Sequence, residues 1–247
     1  MKAFARGRRV ASGIGAALLC FALVGPAAAT GPTANDLLHT VGFRDDAERR
    51  VLAGEFVSTD IKSSGERELA WAMAFLIKEP PSAVIQEVRG WLAVTADADT
   101  LSWGVIHGEG SPADFEKLKL ERDAKKQVQA YLKAKPGSAL NLDVSEIAAF
   151  NALQAAAKDD ATAQRLVEQE LRRSLLARYR AYRKSGLDGI APYARSGGKA
   201  RSPGAELRRA GEASSVIEKV MPSLHKVLLG YPKATAPKLE EGFYWSN

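Results

Sequence analysis

Apolar residues recur at helical spacing in the C-terminal half of the chain. The clearest case spans 160–185, where apolar side chains return every three or four residues at Val167, Leu171, Leu175, Tyr179 and Tyr182. Acidic residues stand at the start of this stretch and basic residues at its end, the order that the helix dipole favours. Gly186 follows as a helix-ending residue. The pattern predicts one long helix from Asp160 to Ser185 with a single buried stripe.

Shorter helical patterns occur along the rest of the chain. They predict helices over 80–89, 122–135, 143–153, 205–221 and 222–229. A further pattern predicts a first helix over 35–53, capped by Asn35 or Asp36. Gly42 interrupts its middle, so one helix and two short pieces are both open.

Strand patterns begin close to the first helix. Residues 55–61 alternate apolar and polar side chains and are rich in β-favouring residues from 56 onward. Residues 69–77 form a continuous apolar run of the length of a buried strand. Ser63, Ser64 and Gly65 supply a turn between the two. The combination predicts a β-hairpin.

Four other stretches carry weaker patterns. Alternation predicts a strand over 115–121, and the aromatic segment 242–247 is strand-like. The stretch 91–110 fits short strands and loops equally well, and 186–204 is predicted to be a Gly- and Ser-rich basic loop.

Together these patterns predict an α+β fold, with an N-terminal hairpin or small antiparallel sheet and a helix-dominated C-terminal half. We expect residues 30–247 to form a single mature domain, with 157–160 as the place for a sub-boundary.

The first 29 residues have the three-part order of a secretory signal peptide. Residues 10–24 are apolar, and three alanines precede the expected cleavage after Ala29. The basic residues that open the segment are Lys2, Arg6, Arg8 and Arg9. We therefore expect a periplasmic or secreted protein with no transmembrane segment in the mature chain.

Removal of this segment changes the composition. The full chain has 35 Lys and Arg against 29 Asp and Glu, so the loss of four basic residues leaves 31 against 29, a net charge of +2. The chain's single cysteine, Cys20, is lost as well. A mature chain without cysteine forms no disulfide and has no thiolate nucleophile or cysteine-based metal site.

The remaining positive charge is concentrated between Arg172 and Arg209, where eleven basic residues stand against Asp188 and Glu206. This segment predicts contact with an anionic envelope surface. Nucleic acid is excluded as the partner of an exported protein. The alternative is a solvated helix face followed by a polar loop. The candidate anion- or partner-binding residues are Arg172, Arg173, Arg178, Arg180, Arg183, Lys184, Arg195, Lys199 and Arg201.

Catalytic and metal-binding signals are sparse. His39, His107 and His225 lie far apart in sequence and form no metal-binding motif, so no metal and no cofactor is predicted. "TADADTL" (95–101) contains the D-x-D-x-T pattern of aspartyl-phosphate phosphatases, for which a polar turn is the alternative explanation. The weak catalytic candidates are Asp97, Asp99, His107 and Glu109.

Three stretches of the C-terminal third resemble a group of exported proteobacterial proteins with no assigned activity. They are "YRAYRKSGLDGIAPYARSGGKARSPGAELRRA", "MPSLHKVLLGYP" and "EGFYWSN", and the resemblance is best over 175–247. Members of that group continue past the Tyr-Trp-Ser element into further strands, so the resemblance implies a shortened member or a missing β segment. It carries no catalytic residue over to this chain.

These observations favour a non-enzymatic binding or envelope-associated protein for an apolar, amphipathic or anionic ligand. The alternative is a periplasmic hydrolase whose site is assembled from residues distant in sequence. The pattern leaves the oligomeric state open.

Overall fold

The computed structural model describes residues 32–61, 70–91, 100–120, 123–237 and 239–247. These residues form two compact units. The hairpin unit consists of the described residues within 32–91 and 205–240. The helical unit consists of those within 100–204 and 241–247. The predicted signal peptide lies outside the described residues.

The described elements are short except for one helix. The helices are α1 (Ala34–Val41), α2 (Ala47–Leu52), α3 (Pro81–Arg89), α4 (Ala124–Leu132), α5 (Val144–Ala152), α6 (Asp160–Ser185), α7 (Pro203–Ala213), α8 (Ser215–Val220) and α9 (Pro222–Gly230). The strands are β1 (Val57–Asp60), β2 (Trp71–Ala74), β3 (Trp103–Ile106), β4 (Tyr193–Ala194), β5 (Ala200–Arg201) and β6 (Phe243–Ser246). They pair as three two-stranded antiparallel sheets. The predicted α+β fold with a helix-rich C-terminal half is confirmed.

The hairpin unit begins with two short helices, which is one of the two arrangements that the sequence leaves open. Thr33 and Asp36 form a capping box at the start of α1, in which each side chain accepts a hydrogen bond from the other residue's backbone N–H. Gly42 ends the helix in the left-handed region at φ +97°. A side chain at that φ is strained, which explains why the helical pattern breaks there.

The predicted hairpin is present as β1 and β2, paired from Val57 opposite Ala74 to Asp60 opposite Trp71. Its inner face packs Val57, Ala72 and Ala74 with the core residues Phe43 and Ala47. The hairpin therefore has one face on the helices of its own unit.

The prediction that 69–77 forms a buried strand is wrong for the described part of that run. The side chains of Trp71, Met73, Phe75, Leu76 and Ile77 are exposed. A two-stranded sheet packed on one side buries only alternate residues of each strand, and in β2 those residues are the two alanines.

The helical unit is built on α6, whose bounds match the sequence prediction. The Asp159 side chain accepts a hydrogen bond of 2.8 Å from the Thr162 backbone N–H and caps its start. One core, which includes Tyr131, Phe150 and Val167, joins α4 and α5 to the N-terminal half of α6. A second core surrounds its C-terminal half and includes Phe115, Leu118, Leu176, Tyr179 and Trp245.

Three local predictions are corrected. Phe115 ends a 3-10 turn that begins at Pro112, and residues 116–120 form no strand, although Phe115, Leu118 and Leu120 are buried. The expected loop at 186–204 contains the short β4–β5 pair. The expected helix over 205–221 is interrupted at Ser214, whose side chain caps α8.

The strand-like tail becomes β6, and it pairs with β3 from Trp103 opposite Ser246 to Ile106 opposite Phe243. This long-range pairing places the tail beside the turn at 107–114. No helix within the described ranges has the length and apolarity needed to cross a membrane.

Candidate functional site

Most of the predicted anion-binding residues contact acceptors within the helical unit. Arg172 donates to the Leu118 carbonyl, Arg173 to Glu170, Arg178 to Glu146, Arg180 to the Gly110 carbonyl, Arg183 to Glu241, and Arg195 to the Asn141 side chain. Lys184 and Lys199 are exposed, and Arg201 is half-buried. Apart from Arg173, whose partner Glu170 lies on the same helix, these guanidinium groups therefore join segments of the unit. The exposed candidates are Arg173, Arg180, Lys184 and Lys199.

The Arg178–Glu146 pair is the most buried of these contacts. Arg178 donates from Nε to one carboxylate oxygen at 2.6 Å and from Nη2 to the other at 2.5 Å. The same Nη2 also donates to the Asn141 carbonyl at 2.8 Å. Glu146 accepts a further 3.0 Å bond from the Asp143 backbone N–H at the start of α5. This bidentate arrangement fixes α5 and the turn before it to α6.

The pKa of Arg178 is affected in both directions. Burial lowers it, but the hydrogen bond and charge of Glu146 outweigh burial, so the pKa lies above its ordinary value. The guanidinium is therefore charged, and its charge is met within the protein.

The second candidate region is the turn at 107–114, where His107 meets a partner. Its Nδ1 lies 2.9 Å from Oδ1 of Asp114. Because a carboxylate only accepts, Nδ1 carries the proton and Nε2 is left as the acceptor of the neutral ring. The His107 side chain is 78% exposed, whereas that of Asp114 is 9% exposed. The arrangement is an aspartate–histidine dyad with one ring nitrogen open to solvent.

Asp114 is held from its other side by Ser111. Its Oδ2 accepts from the Ser111 backbone N–H at 2.6 Å and from the Ser111 hydroxyl at 2.9 Å. Burial raises the pKa of Asp114, but the hydrogen bonds from His107 and Ser111 outweigh it, so the pKa lies below its ordinary value. Asp114 therefore stays ionised and orients the imidazole.

Side chains of α6 and β6 fix this turn. The Tyr179 hydroxyl donates to the Gly108 carbonyl, Arg180 to the Gly110 carbonyl at 2.8 Å, and Trp245 Nε1 to the Asp114 carbonyl at 2.7 Å. Gly110 has φ +70°, and a Cβ there would lie 2.9 Å from the Tyr179 ring. The turn needs glycine at that position for both reasons.

The structure places the weak catalytic candidates in different surroundings. His107 belongs to a dyad whose carboxylate, Asp114, the sequence reasoning missed; the Ser111–Asp114 capping-box spacing was the available signal. Glu109 has an exposed side chain, and its carbonyl accepts from Arg180. Asp97 and Asp99 lie outside the described residues.

No cluster of three or more His, Cys, Asp or Glu suited to a metal ion occurs in the part of the chain that the structure describes. A groove of about 260 Å³ lies between α4 and α6, lined by Lys125, Val128, Gln129, Asp160, Ala161 and Gln164. Lys125 Nζ and an Asp160 carboxylate oxygen are 2.8 Å apart across it.

The third candidate region is the solvent side of the hairpin. The outer face is defined as Phe56, Trp71, Met73 and Phe75, with exposed fractions of 70%, 52%, 46% and 47%. Phe56 and Phe75 adjoin the outermost pair of the strands, Val57 and Ala74, and their rings stack with centroids 5.1 Å apart. Leu76 and Ile77 continue the exposed run. Large exposed apolar patches mark interaction surfaces more often than isolated apolar residues do.

Neither a protein-family model, nor a curated protein, nor a solved structure matches this chain. The resemblance to exported proteobacterial proteins therefore stays a prediction.

Replacement of Arg178 by Met is expected to lower the free energy of unfolding by about 3–5 kcal/mol, because Glu146 is left buried without its cation. Arg173→Met on the same helix is the matched control. That ion pair has an arginine side chain 70% exposed, so its loss costs less than about 1 kcal/mol. Urea unfolding of the two variants provides the comparison. Equal losses would contradict the structural role of Arg178.

Replacement of Asp114 by Asn is expected to lower the free energy of unfolding by about 1–3 kcal/mol at pH 7, because a charged acceptor is lost. The folded-state pKa of Asp114 lies below its unfolded value, so this stabilisation is complete above the unfolded pKa of about 3.9 and is lost as the pH falls below it. The difference between wild type and variant therefore shrinks on acidification.

Urea unfolding between about pH 7 and pH 3 tests this linkage. Glu109→Gln, which changes an exposed carboxylate of the same turn, is the control and is expected to stay within about 0.5 kcal/mol of wild type. A wild type–variant difference for Asp114 that does not change with pH would refute the linkage.

Proposed function

We propose that this chain is an exported, non-enzymatic binding protein whose outer face inserts into the surface of a phospholipid bilayer. The observation that carries the proposal is the exposure of four large apolar side chains on one side of the hairpin. At about 200 Å² for each aromatic side chain, Phe56, Trp71 and Phe75 together present on the order of 300 Å² to solvent. That area is the size of the largest patches of typical monomers, which are often functional.

The chemistry of the outer face suits the boundary between acyl chains and headgroups. Apolar side chains lie along β2 and continue through Ile77, whereas the paired residues of β1 are the polar Ser58 and Asp60. Lys78 follows Ile77 directly, and lysine at such an edge extends its ammonium group toward phosphates. Tryptophan favours the same boundary because its ring is apolar and its N–H is polar.

The charge distribution supports an apolar rather than an electrostatic anchor. The described residues of the hairpin unit include ten Lys and Arg and twelve Asp and Glu, a net charge of −2. Insertion of this unit therefore depends little on salt, whereas binding through exposed lysines of the helical unit weakens as salt rises. The two modes can be separated by experiment.

The double variant Phe56→Ser/Trp71→Ser is expected to bind neutral phosphatidylcholine vesicles at least about tenfold more weakly than wild type, because burying an aromatic side chain contributes about 1.5–3 kcal/mol. Val144→Ser, which changes a 71% exposed residue of the helical unit, is the matched control and keeps full binding. Vesicle sedimentation at about 50 and 500 mM salt supplies the measurement.

Two further arms identify the binding mode. Wild-type binding to neutral vesicles that survives high salt supports insertion of the outer face. Binding that needs phosphatidylglycerol, falls with salt and is lost in Lys184→Ala/Lys199→Ala assigns the function to the basic segment instead. No binding to either vesicle refutes the bilayer proposal.

Hydrolysis is a second candidate function, favoured by the His107–Asp114 dyad. A solvent-facing Nε2 backed by a buried carboxylate can accept a proton from water that attacks an ester carbonyl. The acyl–oxygen bond then breaks, the proton passes to the leaving alkoxide, and acid and alcohol are released. Asp114 in this scheme is a positioning residue.

This candidate predicts that His107→Ala abolishes hydrolysis of an activated aryl ester. It also predicts that Asp114→Asn lowers kcat by about 10²-fold or more, the scale of a general-base contribution. Glu109→Gln is the control, and kcat against pH is recorded for each protein. Hydrolysis that persists in His107→Ala, or that is absent from wild type, would exclude the dyad as a catalytic group.

A further inference from the structure

The free edge of β2 is the feature that leads beyond the proposed function. β1 and β2 form a sheet of only two strands among the described residues. The Ile61 backbone N–H donates to the Ala70 carbonyl at 3.1 Å, just beyond the paired strands. Hydrogen-bonded pairs alternate in antiparallel sheets, so Ala72 and Ala74 also direct their backbone groups toward β1. The backbone N–H and C=O groups of Trp71 and Met73 therefore point away from β1.

The same strand is self-complementary. Residues 71–75 read Trp-Ala-Met-Ala-Phe, which is large-small-large-small-large about Met73. If two such segments run antiparallel with Met73 opposite Met73, Trp71 of one lies opposite Phe75 of the other. Any strand that pairs antiparallel with its own copy makes an isologous contact, in which residue i meets residue j and j meets i. In this register the sequence also matches large residues with large ones and Ala72 with Ala74.

We propose that a second copy of this chain pairs with the first through β2, antiparallel and centred on Met73, to form a four-stranded sheet. In this register the hydrogen bonds between the two copies form through the outward N–H and C=O groups of residues 71 and 73, and of residue 75 by continuation. Trp71 and Met73 are also half-exposed in the single chain, so about half of each side chain is open to a second copy.

This register places the large side chains on one side of the joined sheet. Ala72 and Ala74 face the core of each hairpin unit, and Trp71, Met73 and Phe75 lie on the opposite side because side chains alternate along a strand. Cross-strand pairs of aromatic residues add to the pairing. The two outer faces then form one continuous apolar surface. The pairing itself needs only the free edge, so it stands or falls independently of bilayer binding.

Met73 provides a sharp test, because it faces its own copy at the twofold axis. Met73→Lys places two like charges directly opposite each other, and we expect it to raise the dimer dissociation constant at least about tenfold. Met73→Glu, studied on its own, is expected to weaken the dimer in the same way. An equimolar mixture of the two variants restores dimers, because each mixed pair joins opposite charges. Light scattering and sedimentation in lipid-free buffer report mass over a range of concentrations.

A cysteine pair gives a second, geometric readout. In a Cys20→Ser background, Met73→Cys places two cysteines in a hydrogen-bonded antiparallel pair, with Cα atoms about 5.5 Å apart, inside the range of disulfides. Ser58→Cys, on the opposite edge of the same sheet, is the matched control. Cross-linking that is fast at 73 and slow at 58 supports the register.

Three results would overturn the inference. A wild-type chain that stays monomeric up to about 200 µM, well above the micromolar range of weak specific complexes, has no such pairing. Dimers that persist in Met73→Lys with native circular dichroism use another surface. Equal cross-linking at positions 58 and 73 shows that the contact is not centred on Met73. Loss of vesicle binding with the dimer intact would refute only the bilayer proposal.

Discussion

A carboxylate that is taken out of water needs a cation or several donors, and in the helical unit this requirement connects segments far apart in sequence. Glu146 stands in α5 and Arg178 stands 32 residues later in α6. Their bidentate contact, with the Asn141 carbonyl on the same guanidinium, sets how α5 lies on the long helix. The buried core around Phe150 packs between these helices in the arrangement that the ion pair fixes. Apolar burial supplies the attraction, whereas the ion pair selects one arrangement of it.

The hairpin unit is governed by a different constraint, which is that its sheet has only two strands among the described residues. With two strands and helices on one side, only alternate residues reach the core, and β2 places its alanines there. Small side chains inside let the sheet approach Phe43 and Ala47 closely, but they leave the large side chains of the same strand outside. A strand that buries alanine and exposes tryptophan gains little from its own core. Both proposals for this strand give its large side chains a partner outside the single chain.

Local physics made α6, α1 and the hairpin predictable from sequence. Their spacing, caps and turn residues act within a few positions, and Asp159 and Gly42 are legible without any tertiary contact. The cap of α1 is nevertheless Thr33, not Asn35 or Asp36 as the pattern predicts. Which apolar residues are buried was not predictable in the same way. An apolar run such as 69–77 predicts a buried strand because its side chains are compatible with burial. Whether they are buried depends on how many elements pack against the strand, which is a property of the whole fold. The partners of Arg178 and His107 depend on the same long-range geometry. The sequence alone therefore could not tell which arginines and lysines of the basic segment bind acceptors inside the protein and which face solvent.

That separation changes what the basic segment can do. Arg173, Arg178 and Arg183 meet carboxylates, so their charges are locally neutralised. Arg180 and Arg195 donate to neutral carbonyl and amide oxygens, which satisfy the guanidinium donors without cancelling their charge. The described residues of the helical unit accordingly carry seventeen Lys and Arg against twelve Asp and Glu, a net charge of +5.

Such a charge attracts an anionic surface over about a Debye length, and lysines such as Lys117, Lys133 and Lys135 are exposed on the same unit. Salt screens this attraction, because the charges that produce it lie at the surface. The apolar side chains that the hairpin exposes on its outer face offer a contact of another kind, which salt does not screen.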